Sequence, residues 1–375
     1  MSEVATSSAH GGPGAAGDEP RLSTVGNLVR LSRVDRFGAV YVLVAIVVLF
    51  SALAPDTFPT WDTAKSILNE NATIAIIALA LVVPLSTGVF DLSIGNVVAL
   101  ITVTVAWLVV EKHVGIGLAL VIAVAMGVCV GAINALIVVG VGIDSFIATL
   151  GSGAVLQAVN LLISNEETVT SPHLNTELGK IATANVAGIQ VPVLVAIAVA
   201  LVLWWLLEHT VTGRRLYATG FNPEAARLAG VRTKRLRSMG LLVSAFVAGI
   251  AGIMVVARVG AGSPDVGPSY LLDAFAAAFL GATQIRNGRF NAWGTIIAVL
   301  VLGAGTNGLT QIGAAAWTLQ MYTGVVLLAA LALTRIERTQ IRAGKATPHG
   351  GLTAGATDVP GEGGSGDGDT AVPAR

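Results

Sequence analysis

Ten apolar segments, most of them long enough to cross a lipid bilayer as a helix, dominate this 375-residue sequence. A helix crosses the hydrocarbon core with about 20 apolar residues. Charged residues make up only 12% of the chain, whereas soluble domains contain about 25%. We therefore predict an all-α polytopic membrane protein with about ten transmembrane helices. The predicted spans are residues 37–54, 67–86, 92–110, 115–139, 145–164, 190–208, 239–257, 272–284, 292–311 and 314–333.

The distribution of basic residues along the chain supports ten spans. The eighth segment, 272–284, is short and on its own could be re-entrant. If it crosses the membrane, 18 of the 22 Lys and Arg residues lie on the same side as the N-terminus. Cytoplasmic segments carry such an excess of positive charge, so we predict that both termini are cytoplasmic. The basic residues left outside are Lys65, Lys112, Lys180 and Arg258.

Composition divides the chain into three parts. Residues 1–36 are polar and then basic, and we interpret them as a cytoplasmic N-terminal tail before a retained first span, not as a signal peptide. Residues 37–335 form the transmembrane domain, which includes one long basic segment at 211–238. Residues 336–375 are predicted to be a cytoplasmic, mostly disordered tail, because the stretch from 346 onwards is Gly-rich and lacks apolar content.

A weak internal similarity links two of the predicted spans. The fourth contains "GAINAL" (131–136) and the ninth contains "AGTNGL" (304–309). An offset of five spans reverses the orientation of a helix in the membrane, as in inverted-topology repeats. The pattern is compatible with a five-helix inverted repeat.

The stretch "STGVFDLSIG" (86–95) places a carboxylate between two apolar runs without a polar loop. One helix from Ala72 to Val110 would be about 58 Å long, nearly twice the ~30 Å hydrocarbon core. We predict a break at Thr87–Gly88, because glycine tolerates backbone angles that helices do not. Asp91 is then predicted to be the N-cap of the third helix, with Ser93 supplying a second oxygen. Acids inside membranes are usually functional or paired, so both a capping role and a place on a substrate path remain open.

The basic segment 211–238 contains "NPEAARLAG" (222–230), which predicts a short helix. Asn222 is a favourable N-cap, Pro223 suits the first helical position, and Gly230 ends the helix. Glu224 suits the positive end of the helix dipole. A two-turn helix is marginal in water, so we expect this one to pack on its own membrane domain or on a partner. An ordinary basic cytoplasmic loop is the alternative.

Four stretches together resemble the permease subunits of monosaccharide ABC importers, the ribose- and xylose-type branch of binding-protein-dependent transport. The resemblance covers roughly residues 37–335. The stretches are "TGVFDLSIGNVVAL" (87–100), "GRRLYATGFNPEAARLAGV" (213–231), "YLLDAFAAAFLGAT" (270–283) and "GTIIAVLVLGAGTNGL" (294–309).

The resemblance implies a multi-pass subunit of the cell membrane that moves a monosaccharide. It implies three kinds of partner: a second permease subunit, most simply in a homodimer, ABC ATPase subunits on the cytoplasmic side, and an extracytoplasmic substrate-binding protein. Nucleic acid is not an expected partner. The matching residues would form a coupling helix toward the ATPase (Asn222, Pro223, Glu224, Ala225, Ala226, Arg227 and Gly230) and a translocation-path signature (Thr87, Gly88, Asp91, Leu92, Ser93 and Gly95).

The sequence departs from the family pattern at two places. Gly88-Val89-Phe90 stands where the family commonly has Gly-Gly-Ile, and "QIRNGRF" (284–290) stands where it commonly has a Ser/Gly-rich turn. Both departures leave the identity of the sugar open.

Chemistry-bearing motifs are scarce. The chain has no G-x-x-x-x-G-K-[ST] phosphate loop, so we expect no enzyme activity in this subunit and ATP hydrolysis on a partner. No metal-ligand spacing is present, and no cofactor is expected.

The single cysteine, Cys129, is predicted to be a buried core residue. The predicted outside loop 165–189 carries Glu166, Glu167 and Glu177 and is either a binding-protein surface or a plain solvated loop.

The sequence leaves two alternatives open. The same architecture could move a nucleoside, an autoinducer sugar or a branched-chain amino acid. A secondary transporter driven by an ion gradient would need ionisable residues deep in its spans, but acids occur only at predicted span edges, at Asp91, Asp144 and Asp273. Several amides within spans would suit hydroxyl-bearing solutes or could equally bond between helices. They are Asn96, Asn134, Gln157, Asn160, Asn307, Gln311 and Gln320.

Overall fold

The computed structural model describes residues 38–186, 188–284 and 288–344. The predicted N-terminal tail, 1–36, lies outside the described residues, and so does the part of the predicted C-terminal tail, 336–375, that follows residue 344. The described residues form a helical bundle with four two-residue strands. The helices are α1 (Gly38–Leu53), α2 (Trp61–Ser86), α3 (Ile94–Val110), α4 (Ile116–Ala135), α5 (Ser145–Ser164), α6 (Pro172–Thr183), α7 (Val191–His209), α8 (Val211–Phe221), α9 (Pro223–Leu228), α10 (Thr233–Val259), α11 (Val266–Ala282), α12 (Ala292–Gln311) and α13 (Ala316–Gly344).

Each predicted span overlaps one of these helices. In the part of the chain that the structure describes, six segments are long and apolar enough to cross a membrane, namely 61–86, 116–141, 145–164, 191–209, 233–259 and 292–311. Four shorter apolar helices accompany them, at 38–53, 94–110, 266–282 and 316–332. An all-α membrane architecture is therefore confirmed, whereas the count of ten spans and the cytoplasmic termini stay predictions. The last helix continues to Gly344, beyond the predicted domain boundary at 335.

Helix α2 lies at the centre of the bundle. Its residues from Ile76 to Ser86 are all buried, and it packs against α7, α10, α11 and α12. This second half of α2 is apolar all round, with no single apolar face, because other helices cover it on every side. Helix α2 begins at Trp61, earlier than predicted, because Thr60 caps it by accepting a hydrogen bond from the Thr63 N–H at 3.2 Å.

Helices α4 and α5 lie at the periphery, where large apolar side chains are exposed. Leu118, Val121, Val155 and Leu162 are each at least 60% exposed, as expected of surfaces that face lipid. Cys129 is exposed on α4, so its prediction as a buried core residue is wrong. A helix that faces lipid is apolar on its outside as well, so the apolar sequence around Cys129 did not indicate burial. A π-helix, Leu136–Val141, directly follows α4, and Gly142 comes after it with φ +91°.

The predicted outside loop 165–189 is largely structured. It contains α6, whose Leu174, Leu178 and Ala182 recur every fourth residue and are buried. That spacing makes one apolar face on a helix. Two antiparallel pairs flank α6: β1 (Val169–Thr170) with β4 (Ala261–Gly262), and β2 (Asn185–Val186) with β3 (Ile189–Gln190).

Helix α11 begins at Val266, earlier than the predicted span start at 272. Gly262 lies against Thr102 and Val103 in the second half of α3, but the Gly267 backbone packs directly on that of Gly95 in the first turn of α3. The segment from Gly262 to Gly267 therefore runs along α3 toward its N-terminus. No hydrophobic periodicity in the sequence indicates this course of the chain. Only glycine permits such a close approach of two backbones, which explains why neither position carries a side chain.

Helix lengths repeat along the chain. Helices α2, α3 and α4 have 26, 17 and 20 residues, and α10, α11 and α12 have 27, 17 and 20. Gly95 and Gly267, which touch each other, are each the second residue of their helix. Residues at matching positions of two related halves meet where a two-fold axis passes between them. These lengths and this contact are compatible with the predicted inverted repeat, which stays a prediction.

Candidate functional site

The chain breaks between α2 and α3 where the sequence predicts it. Helix α2 ends at Ser86, and Gly88 adopts φ +76°, a conformation that glycine takes readily. The Pro84 carbonyl accepts hydrogen bonds from the Val89 N–H at 3.0 Å and the Thr87 hydroxyl at 2.8 Å. Thr87 is fully buried. The break is thus a fixed turn.

Asp91 is buried in this turn and holds two helices together. One carboxylate oxygen accepts hydrogen bonds from the Ser93 hydroxyl at 2.6 Å and the Ser93 N–H at 3.2 Å. The other accepts from the Ser244 hydroxyl of α10 at 2.7 Å. The N-cap of α3 is Ser93, without a side-chain capping bond, so the prediction of Asp91 as N-cap is wrong. The Ser93 hydroxyl is turned toward Asp91, and the carboxylate reaches α10 as well as the start of α3.

The polar network continues to α4. Asn134, two residues before the π-helix begins, donates a hydrogen bond to the Ser93 hydroxyl at 2.8 Å. Asp91, Ser93, Ser244 and Asn134 thus connect α3, α10 and α4, and all four are at most 3% exposed. Hydrogen bonds of this kind are stronger in a low-dielectric interior, and an unpaired member is correspondingly destabilising. Of the amides in predicted spans, Asn134 therefore bonds between helices.

Helix α5 accepts hydrogen bonds from two further backbone N–H groups of the break. The Ser145 hydroxyl accepts the Phe90 N–H at 3.1 Å, and the Thr149 hydroxyl accepts the Leu92 N–H at 3.0 Å. Irregular backbone at membrane depth is tolerated only where protein or water satisfies it. Ser145 and Thr149, one helical turn apart, are residues that the sequence analysis did not single out.

Phe90, in the first departure from the family pattern, belongs to an aromatic cluster. Its ring centroid lies 6.3 Å from those of Phe146 on α5 and Phe279 on α11. Phe279 in turn lies 5.4 Å from Phe290. Such ring distances are favourable for aromatic pairs. The departure thus places an aromatic contact between α5 and α11 beside the break.

The short helix predicted from "NPEAARLAG" is present as α9. Asn222 caps it by accepting the Ala225 N–H at 3.1 Å, and Pro223 is its first residue. Glu224 and Arg227 form an exposed ion pair at 3.1 Å. Gly230 follows with φ +79°. The local structure is confirmed, whereas a role in coupling stays a prediction.

Helix α9 presents an apolar residue that the sequence analysis missed. Ala226 is buried, whereas Ala225 and Arg227 are exposed and Leu228 is 84% exposed. The signal was present, because a leucine at the end of a two-turn helix between Arg227 and Gly230 has little of its own chain to pack on.

Helix α8 connects α9 to the break. The Gly220 backbone lies against the Ser86 carbonyl, so closely that a Cβ atom there would overlap it. The Tyr217 hydroxyl donates to the Phe290 carbonyl at 2.8 Å. The Arg289 guanidinium lies 5.4 Å from both the Tyr217 and the Phe221 rings, a cation–π distance. The described part of the "QIRNGRF" departure therefore holds α8.

A cavity of about 370 Å³ adjoins the break. Gly88 and Val89 line one side, and the π-helix with the loop to α5 lines another. Lys234 and Arg237 of α10 supply positive charge. Among the described residues, no three His, Cys, Asp or Glu side chains cluster as a metal site would require.

Comparison with known proteins identifies the family. A family model described as "Branched-chain amino acid transport system / permease component" matches residues 63–331. The chain is a member of this permease family. It is 34% identical to the ribose import permease protein of Escherichia coli strain K12 over 295 residues, which cover 78% of this chain and 90% of the relative.

Other relatives of this permease are also sugar permeases by name. The D-allose transport system permease protein of Escherichia coli strain K12 is 30% identical over 302 residues, covering 80% of this chain and 92% of the relative. The fructose import permease protein of Rhizobium meliloti is 26% identical over 298 residues, covering 78% and 83%. No solved structure matches the chain. The resemblance to sugar importer permeases is confirmed, and with it a multi-pass location in the cell membrane.

Proposed function

We propose that this chain is the membrane-spanning subunit of an ABC importer that moves a monosaccharide, ribose- or xylose-like in size, into the cell. The observation that carries the proposal is its similarity to a ribose import permease across 90% of that relative. The relatives named for allose and fructose support the same substrate class. Transport of a branched-chain amino acid, the class in the family description, is the second candidate.

The proposed mechanism begins at α9. A separate ATPase subunit docks on its exposed residues, Ala225, Arg227 and Leu228, because an apolar side chain exposed in a cytoplasmic segment favours a protein contact. Glu224, Pro223, Asn222 and Gly230 fix the start and end of the helix. This permease has no phosphate loop of its own, so the partner hydrolyses ATP.

Movement of α9 then reaches the α2–α3 break through α8. Gly220 lies on the Ser86 carbonyl, so α8 cannot shift toward α2 without displacing Thr87 and Gly88. A displacement of the break then moves α10 and α4, which are hydrogen-bonded to Asp91 and Ser93. It also moves α5, which is hydrogen-bonded to the Leu92 N–H. The signature residues thus act mainly by positioning helices that border the path.

Two further partners belong to the proposal. A second copy of this permease completes the pore as a homodimer, with each half of the chain an inverted five-helix repeat, ten spans in all and both termini cytoplasmic. An extracytoplasmic binding protein delivers the sugar to the surface around α6, where Glu166 and Glu167 are exposed. Gradient-driven transport is less favoured, because three donor groups already engage the Asp91 carboxylate.

The experiment that tests this proposal is co-purification. The tagged chain is extracted in mild detergent from its native cells, and the proteins that accompany it are identified. A stoichiometric ATPase with a phosphate loop, lost in Arg227→Glu and Leu228→Glu, supports the proposal. A chain that purifies alone and drives solute uptake from an ion gradient in ATP-free vesicles overturns it.

A further inference from the structure

A group of polar side chains lies between α3, α5 and the start of α11. Gln157 and Asn160 are three residues apart on α5 and so share one face of that helix. Asn160 donates to the Asn96 carbonyl of α3 at 3.1 Å, and Gln157 donates to the Asp265 carboxylate at 3.0 Å. Asp265 precedes Gly267, which packs on Gly95 beside Asn96. The four side chains therefore form one cluster, here called the amide cluster (Asn96, Gln157, Asn160 and Asp265).

The amide cluster contains hydrogen-bond acceptors that this chain does not use. In the described residues, seven buried side-chain polar atoms lack a partner, and three of them are the amide oxygens of Asn96, Gln157 and Asn160. Asn160 is fully buried. Buried polar groups in native proteins almost always have hydrogen-bond partners. Three neighbouring amide oxygens without a partner therefore indicate a ligand that donates hydrogen bonds.

The depth of the amide cluster argues that it borders water or solute. Asp265 is exposed on the surface of the chain, yet it lies beside the first turn of α3, at the far end of that helix from Val110. A carboxylate at such a depth does not face lipid tails and usually marks a substrate or ion pathway. The exposed apolar residues Val155 and Leu162 on α5 mark the side that does face lipid.

We propose that the amide cluster is a hydroxyl-binding subsite on the translocation path. Its three amide oxygens and the Asp265 carboxylate accept hydrogen bonds from a polyhydroxylated solute such as a monosaccharide, whose hydroxyl groups are donors. Gly153 leaves room beside the Asn96 amide, because a Cβ atom there would lie 3.3 Å from its nitrogen. This inference rests on the proposed import of a sugar and adds the residues that would hold it.

Uptake measurements provide the first test. Membrane vesicles that contain the full chain with its co-purifying partners are supplied with ATP and labelled D-ribose, D-allose or D-fructose. Gln157→Leu removes one acceptor and lowers uptake about five- to tenfold, as expected for a lost hydrogen bond to solute. Gln311→Leu is the matched control and retains uptake, because Gln311 also has a buried amide oxygen without a partner but lies outside the amide cluster, where its amide nitrogen bonds to Thr63 and Asn307.

Cysteine labelling provides the second test and does not depend on transport. The chain has one cysteine, so Cys129→Ser gives a background for Asp265→Cys and for the lipid-facing control Val155→Cys. A charged, membrane-impermeant methanethiosulfonate reagent should label Asp265→Cys but not Val155→Cys, because only a thiol in contact with water ionises readily. The transported sugar should slow the labelling of Asp265→Cys.

The two possible failures are distinguishable. Unchanged uptake in Gln157→Leu, or labelling of Asp265→Cys no faster than that of Val155→Cys, overturns the subsite while wild-type sugar uptake upholds the proposed function. If none of the three sugars enters wild-type vesicles, the sugar class fails and the hydroxyl-binding assignment fails with it.

Discussion

The carboxylate of Asp91 accepts a hydrogen bond from the Ser244 hydroxyl at 2.7 Å, across 153 positions of sequence. This contact joins the α2–α3 break to the interior of α10, which is a main packing partner of the central helix α2. The sequence predicts that Asp91 is a local helix cap, whereas in the structure Asp91 makes a long-range hydrogen bond to another helix.

Substitution of Asp91 should separate its hydrogen bonding from its charge. Asp91→Leu leaves the Ser93 hydroxyl, the Ser93 N–H and the Ser244 hydroxyl without an acceptor, and each buried unsatisfied group destabilises by about 1–3 kcal/mol. Asp91→Asn keeps one acceptor oxygen and should be milder. Thermal unfolding in detergent should rank wild type above Asn above Leu, and sugar uptake should follow. If both variants unfold at the wild-type temperature and take up sugar at the wild-type rate, the hydrogen bonds of Asp91 are not needed for stability or transport.

Ser244→Ala tests the same contact from the other side. It removes one donor to Asp91 and leaves the two bonds from Ser93 intact, so the expected destabilisation is about 1 kcal/mol. In the Asp91→Leu background the same change should cost nothing or even restore some stability, because it removes a buried hydroxyl group that already lacks its acceptor. Additive effects of the two changes would contradict a direct interaction.

Gly220→Ala should disturb the contact between α8 and the break. Its Cβ atom would overlap the Ser86 carbonyl, so one of the two backbones must move. We expect normal membrane insertion with lowered uptake per ATP hydrolysed. Gly117→Ala is the control, because a Cβ atom there meets no neighbour within 4 Å. If uptake per ATP is the same in both variants, α8 does not act on the break.

Charge reversal on α9 should weaken the ATPase contact without unfolding the membrane domain. Arg227→Glu breaks an exposed ion pair with Glu224, which contributes only about 0.3–0.5 kcal/mol, so loss of ATPase binding would reflect the docking surface. Lys112→Glu, on the predicted outside face, is the control for a reversed charge. Retention of stoichiometric ATPase by Arg227→Glu would exclude this residue from the contact.

Tyr217→Phe should loosen α8 from the loop before α12. It removes the hydrogen bond to the Phe290 carbonyl but keeps the ring beside the Arg289 guanidinium. A net loss of about 0.5–1.5 kcal/mol is expected, seen as a lower unfolding midpoint. An unchanged unfolding midpoint would show that the hydrogen bond from the Tyr217 hydroxyl to the Phe290 carbonyl does not stabilise the protein.

Local signals in the sequence predicted local structure well. The cap at Asn222, the proline after it and the glycine at 230 specify α9 through neighbouring residues alone. The break at Gly88 follows equally from the length of the apolar run and one glycine. The boundaries of α5, 145–164, were predicted without error, because Asp144 and Asn165 flank an unbroken apolar helix.

What depended on distant residues was not predicted. No local pattern indicates that Asp91 pairs with Ser244 or that Gly267 returns to Gly95, because both contacts join separate parts of the chain. The exposure of Cys129 was missed for another reason. Apolar residues that face lipid have the same composition as those in a core.

Uptake of labelled D-ribose, D-allose and D-fructose by vesicles that contain the purified complex tests most directly whether this permease belongs to an ATP-driven sugar importer. With ion gradients collapsed, at least one sugar should enter only when ATP and the binding protein are present, and Arg227→Glu should abolish this uptake. Uptake that persists without ATP, and that requires an imposed ion gradient, would contradict ATP-driven import.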